Sequence, residues 1–113
     1  MALTLVKTDA NARKTLYLRR DQLTLTAWLE GPAEAPLVML VHGFPDTPHS
    51  WDAVAQRLLT AGYRVLRPWL RGYTPSSVDP DAAYDAYAAS QDLLAWQQEV
   101  GAQPIHLVGH DWG

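Results

Sequence analysis

Pro104-Ile105-His106-Leu107-Val108-Gly109-His110-Asp111-Trp112-Gly113 is the most informative run in this 113-residue chain. Pro104 to Val108 is short and apolar and reads as a buried strand. The five residues after it set small–x–acid–x–small at the strand's end. In a nucleophile elbow a strand turns sharply into a helix and holds one side chain up in a strained bend. Small residues flank that bend because the turn packs too tightly for side chains on either side. The usual occupant of the middle position is Ser, and here it is Asp111. A carboxylate nucleophile attacks an sp3 carbon and leaves an ester on the enzyme, rather than acylating a hydroxyl. The competing reading, a strand-end Asp that caps a helix, stays open at this point.

Working outward, the preceding chain supplies strands and helices in alternation. Leu37-Val38-Met39-Leu40-Val41 is apolar throughout, as in a strand buried on both faces of a parallel sheet. It ends at His42-Gly43-Phe44-Pro45. Ser50 is the expected N-cap of a helix whose apolar face is Trp51, Val54, Ala55, Leu58 and Leu59, with Gly62 ending it. Tyr63 to Arg67 is the next strand, closed by Pro68. Trp69 to Asp81 is a loop. Asp79-Pro80 reads as an N-cap and first-turn proline. The helix after it runs to about Val100, with Tyr84, Tyr87, Ala88, Gln91, Leu94 and Ala95 on one side and Gly101 as its cap. Earlier, Leu16 and Leu18, then Leu23, Leu25, Ala27 and Leu29, alternate about a turn at Arg20-Asp21-Gln22, an antiparallel hairpin. Residues 1–11 read as a tail or an edge segment. The order hairpin, strand, helix, strand, helix, strand implies a mainly parallel sheet with right-handed crossovers.

Composition narrows the function classes. Apolar residues make up 48% of the chain, enough for a core, and a net charge of −3 argues against nucleic acid or an anionic membrane as partner. Without cysteine there is no disulfide and no thiolate metal site. The four histidines are scattered without paired spacing, so no metal and no cofactor is expected. The N-terminal apolar run is too short for a secretion signal, and no window approaches a membrane span. A cytoplasmic location is the default expectation, and the oligomeric state stays open.

His42-Gly43-Phe44-Pro45 and Gly109-His110-Asp111-Trp112-Gly113, with Arg71-Gly72-Tyr73 after a strand, together resemble the α/β-hydrolase superfamily, and within it the epoxide hydrolases. The resemblance covers roughly Leu16 to Gly113. It implies an α/β-hydrolase fold, incomplete and truncated after the fifth strand, with residues 1–113 forming the N-terminal half of the core domain and the cap domain absent. It makes Asp111 the nucleophile toward an epoxide or another electrophilic carbon of a small-molecule substrate, with water as co-substrate. The backbone N–H groups of Phe44 and Trp112 match the oxyanion hole. Pro45 matches a proline that is cis in relatives, an isomer that would aim the Phe44 amide inward. His42, Gly43, Pro45, Gly109 and Gly113 match structural motif positions.

The pattern also departs from the family. Trp69 stands where Asp is usual and Thr74 where a second Gly is usual. Phe44 stands where haloalkane dehalogenases carry Asn, so a haloalkane dehalogenase ranks below an epoxide hydrolase; Phe44 weighs less against a fluoroacetate dehalogenase, and both stay as alternatives. The base histidine, its carboxylate partner and the cap tyrosines lie after the elbow in the family. Tyr63, Tyr73, Tyr84 and Tyr87 do not take that role, and His110 is not expected to act as the base. His42 is expected to hold its own loop by hydrogen bonds. The 113-residue chain alone is therefore expected to lack turnover, and a non-catalytic truncated remnant is the third reading. Its last strand would leave an apolar edge exposed, which predicts marginal solubility.

Overall fold

The computed structural model describes residues 2–79, 84–101 and 104–113. The elements are β1 (Ala2–Thr8), β2 (Lys14–Arg20), β3 (Leu23–Glu30), β4 (Leu37–Val41), α1 (Asp52–Thr60), β5 (Arg64–Pro68), α2 (Ala86–Val100) and β6 (His106–Gly109). They form a six-stranded sheet in the order β1-β2-β3-β5-β4-β6. The segment expected to be a tail or an edge is β1, an exposed edge strand antiparallel to β2. The strand expected to be the fifth is therefore β6. β2 and β3 pair antiparallel across a turn in which Asp21 takes a left-handed conformation (φ 54). β3 pairs antiparallel with β5, whereas β4 runs parallel to both β5 and β6.

The apolar run of β4 is buried along its whole length, as a two-faced strand must be. Leu37, Met39 and Val41 face one core with Leu16, Leu18, Leu25, Leu66, Ala95 and Trp96. Val38 and Leu40 face another with Val65, Ala55, Trp51, Leu58 and Leu59. The period of two along β4 thus puts α1 and α2 on opposite faces of the sheet. The crossover through α1 leads from β4 to β5 on one side, and that through α2 leads to β6 on the other. The carboxyl ends of β4 and β6 become neighbours where the crossover direction reverses, the position at which open α/β sheets bind ligands.

Local signals were right in kind and sometimes misplaced. Ser50 is not the cap of α1. It lies in a 3-10 turn, Pro48–Trp51, whose start is capped by Thr47 accepting from the His49 N–H at 3.2 Å. α1 closes as a Schellman motif, with Gly62 N–H bonded to Leu59 and Tyr63 N–H to Leu58, and Gly62 at φ 93. Val54 is 41% exposed, off the buried face assigned to it. α2 starts later than expected. Asp85 is its N-cap, accepting from Ala88 N–H at 2.8 Å, and Gly101 ends it at φ 81. Pro80 lies outside the described residues.

The buried face of α2 is also rotated from the expected one. Asp92, Ala95 and Trp96 point inward, with Ala89, Leu93 and Val100 against the core, while Tyr87 and Leu94 are exposed. The reason is electrostatic. Asp92 is 3% exposed and accepts from Arg71 through Nε (2.7 Å) and Nη2 (2.8 Å), and from Arg20 Nη1 (3.0 Å). An apolar count scores this carboxylate as outward, but two guanidinium groups hold it inside. At the far edge of the sheet, Leu107 and Val108 of β6 are 59% and 42% exposed.

Breaking a buried ion pair costs about 3–5 kcal/mol when it strands the other charge; Arg71 keeps Asp79, so the loss here falls at the low end of that range. Asp92→Ala is therefore expected to lower unfolding free energy by about that amount, and Arg20→Ala, which removes one of the two donors, by clearly less. Urea denaturation of the three proteins checks the order.

Candidate active site

The register of β4 against β6 builds the site. Val41 pairs with Gly109, and His110 N–H reaches the Val41 carbonyl at 3.3 Å. Carrying that register past the strand ends brings Gly43 against Asp111. A Cβ on Gly43 would lie 2.5 Å from Asp111 Cβ and 2.6 Å from the His110 carbonyl, so only glycine fits. The turn after β6 is tight for the same reason. A Cβ on Gly109 would strike the Gly113 backbone, and one on Gly113 would strike the Val41 carbonyl. Asp111 itself takes φ 61, and Gly113 N–H returns to the His110 carbonyl at 3.0 Å. A non-glycine residue in that conformation is uncommon and is found at turns and functional sites.

The carboxylate is exposed, and backbone donors hold it. Phe44 N–H donates to Asp111 Oδ2 at 2.9 Å. That bond first, then one from the Trp112 amide, keeps the Asp111 pKa below the ordinary aspartate value, with His110 adding a weak through-space attraction. Hydrogen bonds to the charged form favour that form. The Phe44 and Trp112 amides therefore converge on this one carboxylate, and the Phe44–Pro45 bond is cis. The side chains of Phe44 and Trp112 stand open at the site, 64% and 71% exposed.

His42 is buried and ties two loops together. Leu70 N–H donates to its Nε2 at 3.0 Å, so that nitrogen carries no proton. Nδ1 carries it and donates to the Gly43 carbonyl at 2.9 Å. Burial is the largest influence on its pKa and pushes it down, against the Gly43 carbonyl and Asp46, which raise it. The Tyr73 ring packs edge-on at 4.8 Å. Burial, and then the Asp111 charge, hold the Tyr73 hydroxyl above its usual range. Asp46 accepts from the neighbouring Thr47 N–H at 2.8 Å. His49 lies against Trp28, and His106 lies on β6 near Tyr63.

Sequence reasoning did not find the wall of the site. An open cavity of about 620 Å³ adjoins this turn, lined by Phe44, Leu70, Tyr73, Tyr84, Ala89 and Trp112 among others. The loop after β5 is held by Arg71, which bonds Asp92 and also Asp79 (Nη1, 2.9 Å), and by Ser76 and Ser77, whose hydroxyls accept from Thr26 and Thr24 N–H. Trp69, in place of the usual Asp, packs edge-on against Trp28 at 4.7 Å. The available signal was Asp92, an acid spaced three positions from Ala89 and from Ala95 on the buried stripe. Among the described residues no three metal-ligating side chains cluster, and no helix is long and apolar enough to cross a membrane.

Two measurements follow from this geometry. Gly43→Ala is expected to push Asp111 off the Phe44 amide, so the carboxyl titration followed by carbon-13 NMR should move up toward the ordinary aspartate value. His42 has a lowered pKa when folded, so the unfolded chain binds the extra proton more readily. Stability from this group is complete above the ordinary histidine value of 6.5 and is lost as pH falls below it. Unfolding free energies measured across that window should slope less in His42→Gln than in the wild type.

The geometry has counterparts among known proteins. Residues 36–113 match the family model described as the alpha/beta hydrolase fold. Epoxide hydrolase A of Mycobacterium tuberculosis is 46% identical over 85 residues, covering 74% of this chain and 26% of that protein. The crystal structure of epoxide hydrolase A from Mycobacterium thermoresistibile superposes with a TM-score of 0.82 at 34% identity, covering 89% of this chain and 32% of that one. A thioesterase domain from the curacin biosynthetic pathway superposes as well, with a TM-score of 0.83 at 31% identity, covering 91% of this chain and 38% of that one. The chain thus spans about a quarter of the length of the curated relative and about a third of each solved one. With the sheet order and the family match in agreement, the chain belongs to the alpha/beta hydrolase fold family.

Proposed function

We propose that Asp111 is the nucleophile of an epoxide hydrolase reaction and that this chain carries its ester-forming half. The observation that supports this most is the Asp111 carboxylate, raised on a left-handed turn and kept ionised by the Phe44 and Trp112 amides. The oxygen held by Phe44 N–H is placed to become the ester carbonyl, and the other to attack. A bond forms between that oxygen and a ring carbon, the carbon–oxygen bond of the epoxide breaks, and the released alkoxide takes a proton from solvent or from an acid. Water attacking the ester carbonyl then yields the diol and returns the carboxylate. The same two amides would hold the oxyanion of that second step. The relatives named as epoxide hydrolases favour this electrophile over others.

A dehalogenase would share Asp111 but needs donors for the departing halide, and the Phe44 side chain offers none. Release of the ester needs a base, and the chain's histidines are poorly placed to be one. His42 is buried and bonded at both nitrogens, His49 and His106 are engaged with aromatic rings elsewhere, and His110 reaches Asp111 only through space. The ester is therefore expected to persist.

Incubation with a small epoxide followed by peptide mass spectrometry tests the reading. The expected result is one epoxide adduct on the peptide holding Asp111, absent in Asp111→Asn, with diol release below one equivalent. Labelling elsewhere, or none, would remove the nucleophile assignment, and sustained diol release would remove the half-reaction. Because the Asp111 pKa lies low, the labelling rate should stay flat through neutral pH and fall only in acid.

A further inference from the structure

The cavity beside the elbow has a chemistry of its own. Four aromatic side chains, Phe44, Tyr73, Tyr84 and Trp112, line it together with Leu70, and Ala86 and Ala89 leave room between them. Its volume of about 620 Å³ falls within the range of small-molecule sites. Two charged residues border it, and both are engaged in structure. Arg71 bonds Asp92 through Nε and Nη2 and Asp79 through Nη1. Asp85 caps α2. Such a wall favours a neutral ligand with a flat apolar group.

Tyr84 is the side chain most specifically fixed there. Its hydroxyl accepts from Asp79 N–H at 2.9 Å and lies 3.3 Å from the Asp79 carbonyl. Its ring lies flush on the loop after β5, where Gly72 takes φ 83 and an added Cβ would come within 2.9 Å of Tyr84 Cε1. Arg71 holds Asp79, Asp79 holds the Tyr84 hydroxyl, and Gly72 makes room for the ring. Ala86, in the first turn of α2, is exposed and borders the same space.

We infer that this recess is the subsite for an uncharged aromatic substituent of the electrophile, and that Tyr84 and Ala86 set the size it admits. The inference rests on the Asp111 reading above and deepens it. Trp112 follows Asp111 in the chain and the Tyr73 hydroxyl feels the Asp111 charge, so a substituent in contact with Tyr73 and Trp112 would orient the reacting carbon.

The test uses the full chain and two probes, styrene oxide and butylene oxide. Alkylation of Asp111 by each is followed by peptide mass spectrometry and divided by its rate with an aspartyl peptide, which cancels intrinsic reactivity. The normalised rate with styrene oxide is expected to exceed that with butylene oxide by about tenfold or more, the scale of an apolar group finding its pocket. Ala86→Leu fills the recess from an exposed position and should make the two normalised rates converge. Tyr84→Ala should raise the normalised rate with a naphthyl epoxide above the wild-type value. Labelling of Asp111 with no aromatic preference, or a preference that survives Ala86→Leu, would overturn the subsite and leave the nucleophile standing. Should neither probe label Asp111, the nucleophile falls, and saturation-transfer NMR with phenyl glycol decides the subsite. Transfer abolished by Ala86→Leu upholds it, and no transfer, or transfer unaffected by Ala86→Leu, overturns it.

Discussion

The site depends on how closely β4 and β6 approach at their carboxyl ends. Parallel pairing of Val41 with Gly109 carries the two chains past the strand ends side by side, and Gly43 meets Asp111 with no room for a Cβ. That contact brings the Phe44 amide to the carboxylate. It also explains the glycines at 109 and 113, which are required by space and not by backbone conformation, since neither takes a positive φ. The one residue of the turn that does take the left-handed conformation is the acid. Its carboxylate meets backbone donors already fixed in place, and their hydrogen bonds favour its charged form.

A second layer keeps this contact in place. His42 is a two-ended tie, donating to its own loop and accepting from the loop after β5. The latter loop is in turn anchored to α2 by Arg71 and Asp92 and to β3 by two serine hydroxyls. A buried guanidinium–carboxylate pair contributes little stability relative to an apolar pair of the same shape, but it admits few alternative arrangements. The wall of the recess is thus positioned by charges, while its surface is aromatic.

Much of this was legible in the residues. The unbroken apolar run of β4, the alternation of β2 and β3, and the glycines ending α1 and α2 each follow from local rules, and each was found. The tight turn after β6 also follows, because small–x–acid–x–small is a steric pattern that survives without tertiary information. One error was local and the other came from partners distant in sequence. Ser50 looked like a cap, but Thr47 was better placed for the 3-10 turn that precedes α1. The stripe of α2 was misread because Asp92 is inside, and its partners lie 21 and 72 positions away.

The sequence by itself determined the order and type of the elements, the parallel character of the sheet's centre and the chemical nature of the group at the turn. Those depend on side-chain periodicity and on what a tight bend can hold. Only the tertiary structure decided how the Phe44 amide reaches that group, which tautomer His42 adopts, which way α2 faces and that an aromatic recess adjoins the turn. Each of these is a contact between segments separated by tens of residues. Strand register and a few buried charges fix such contacts, and no local pattern encodes them.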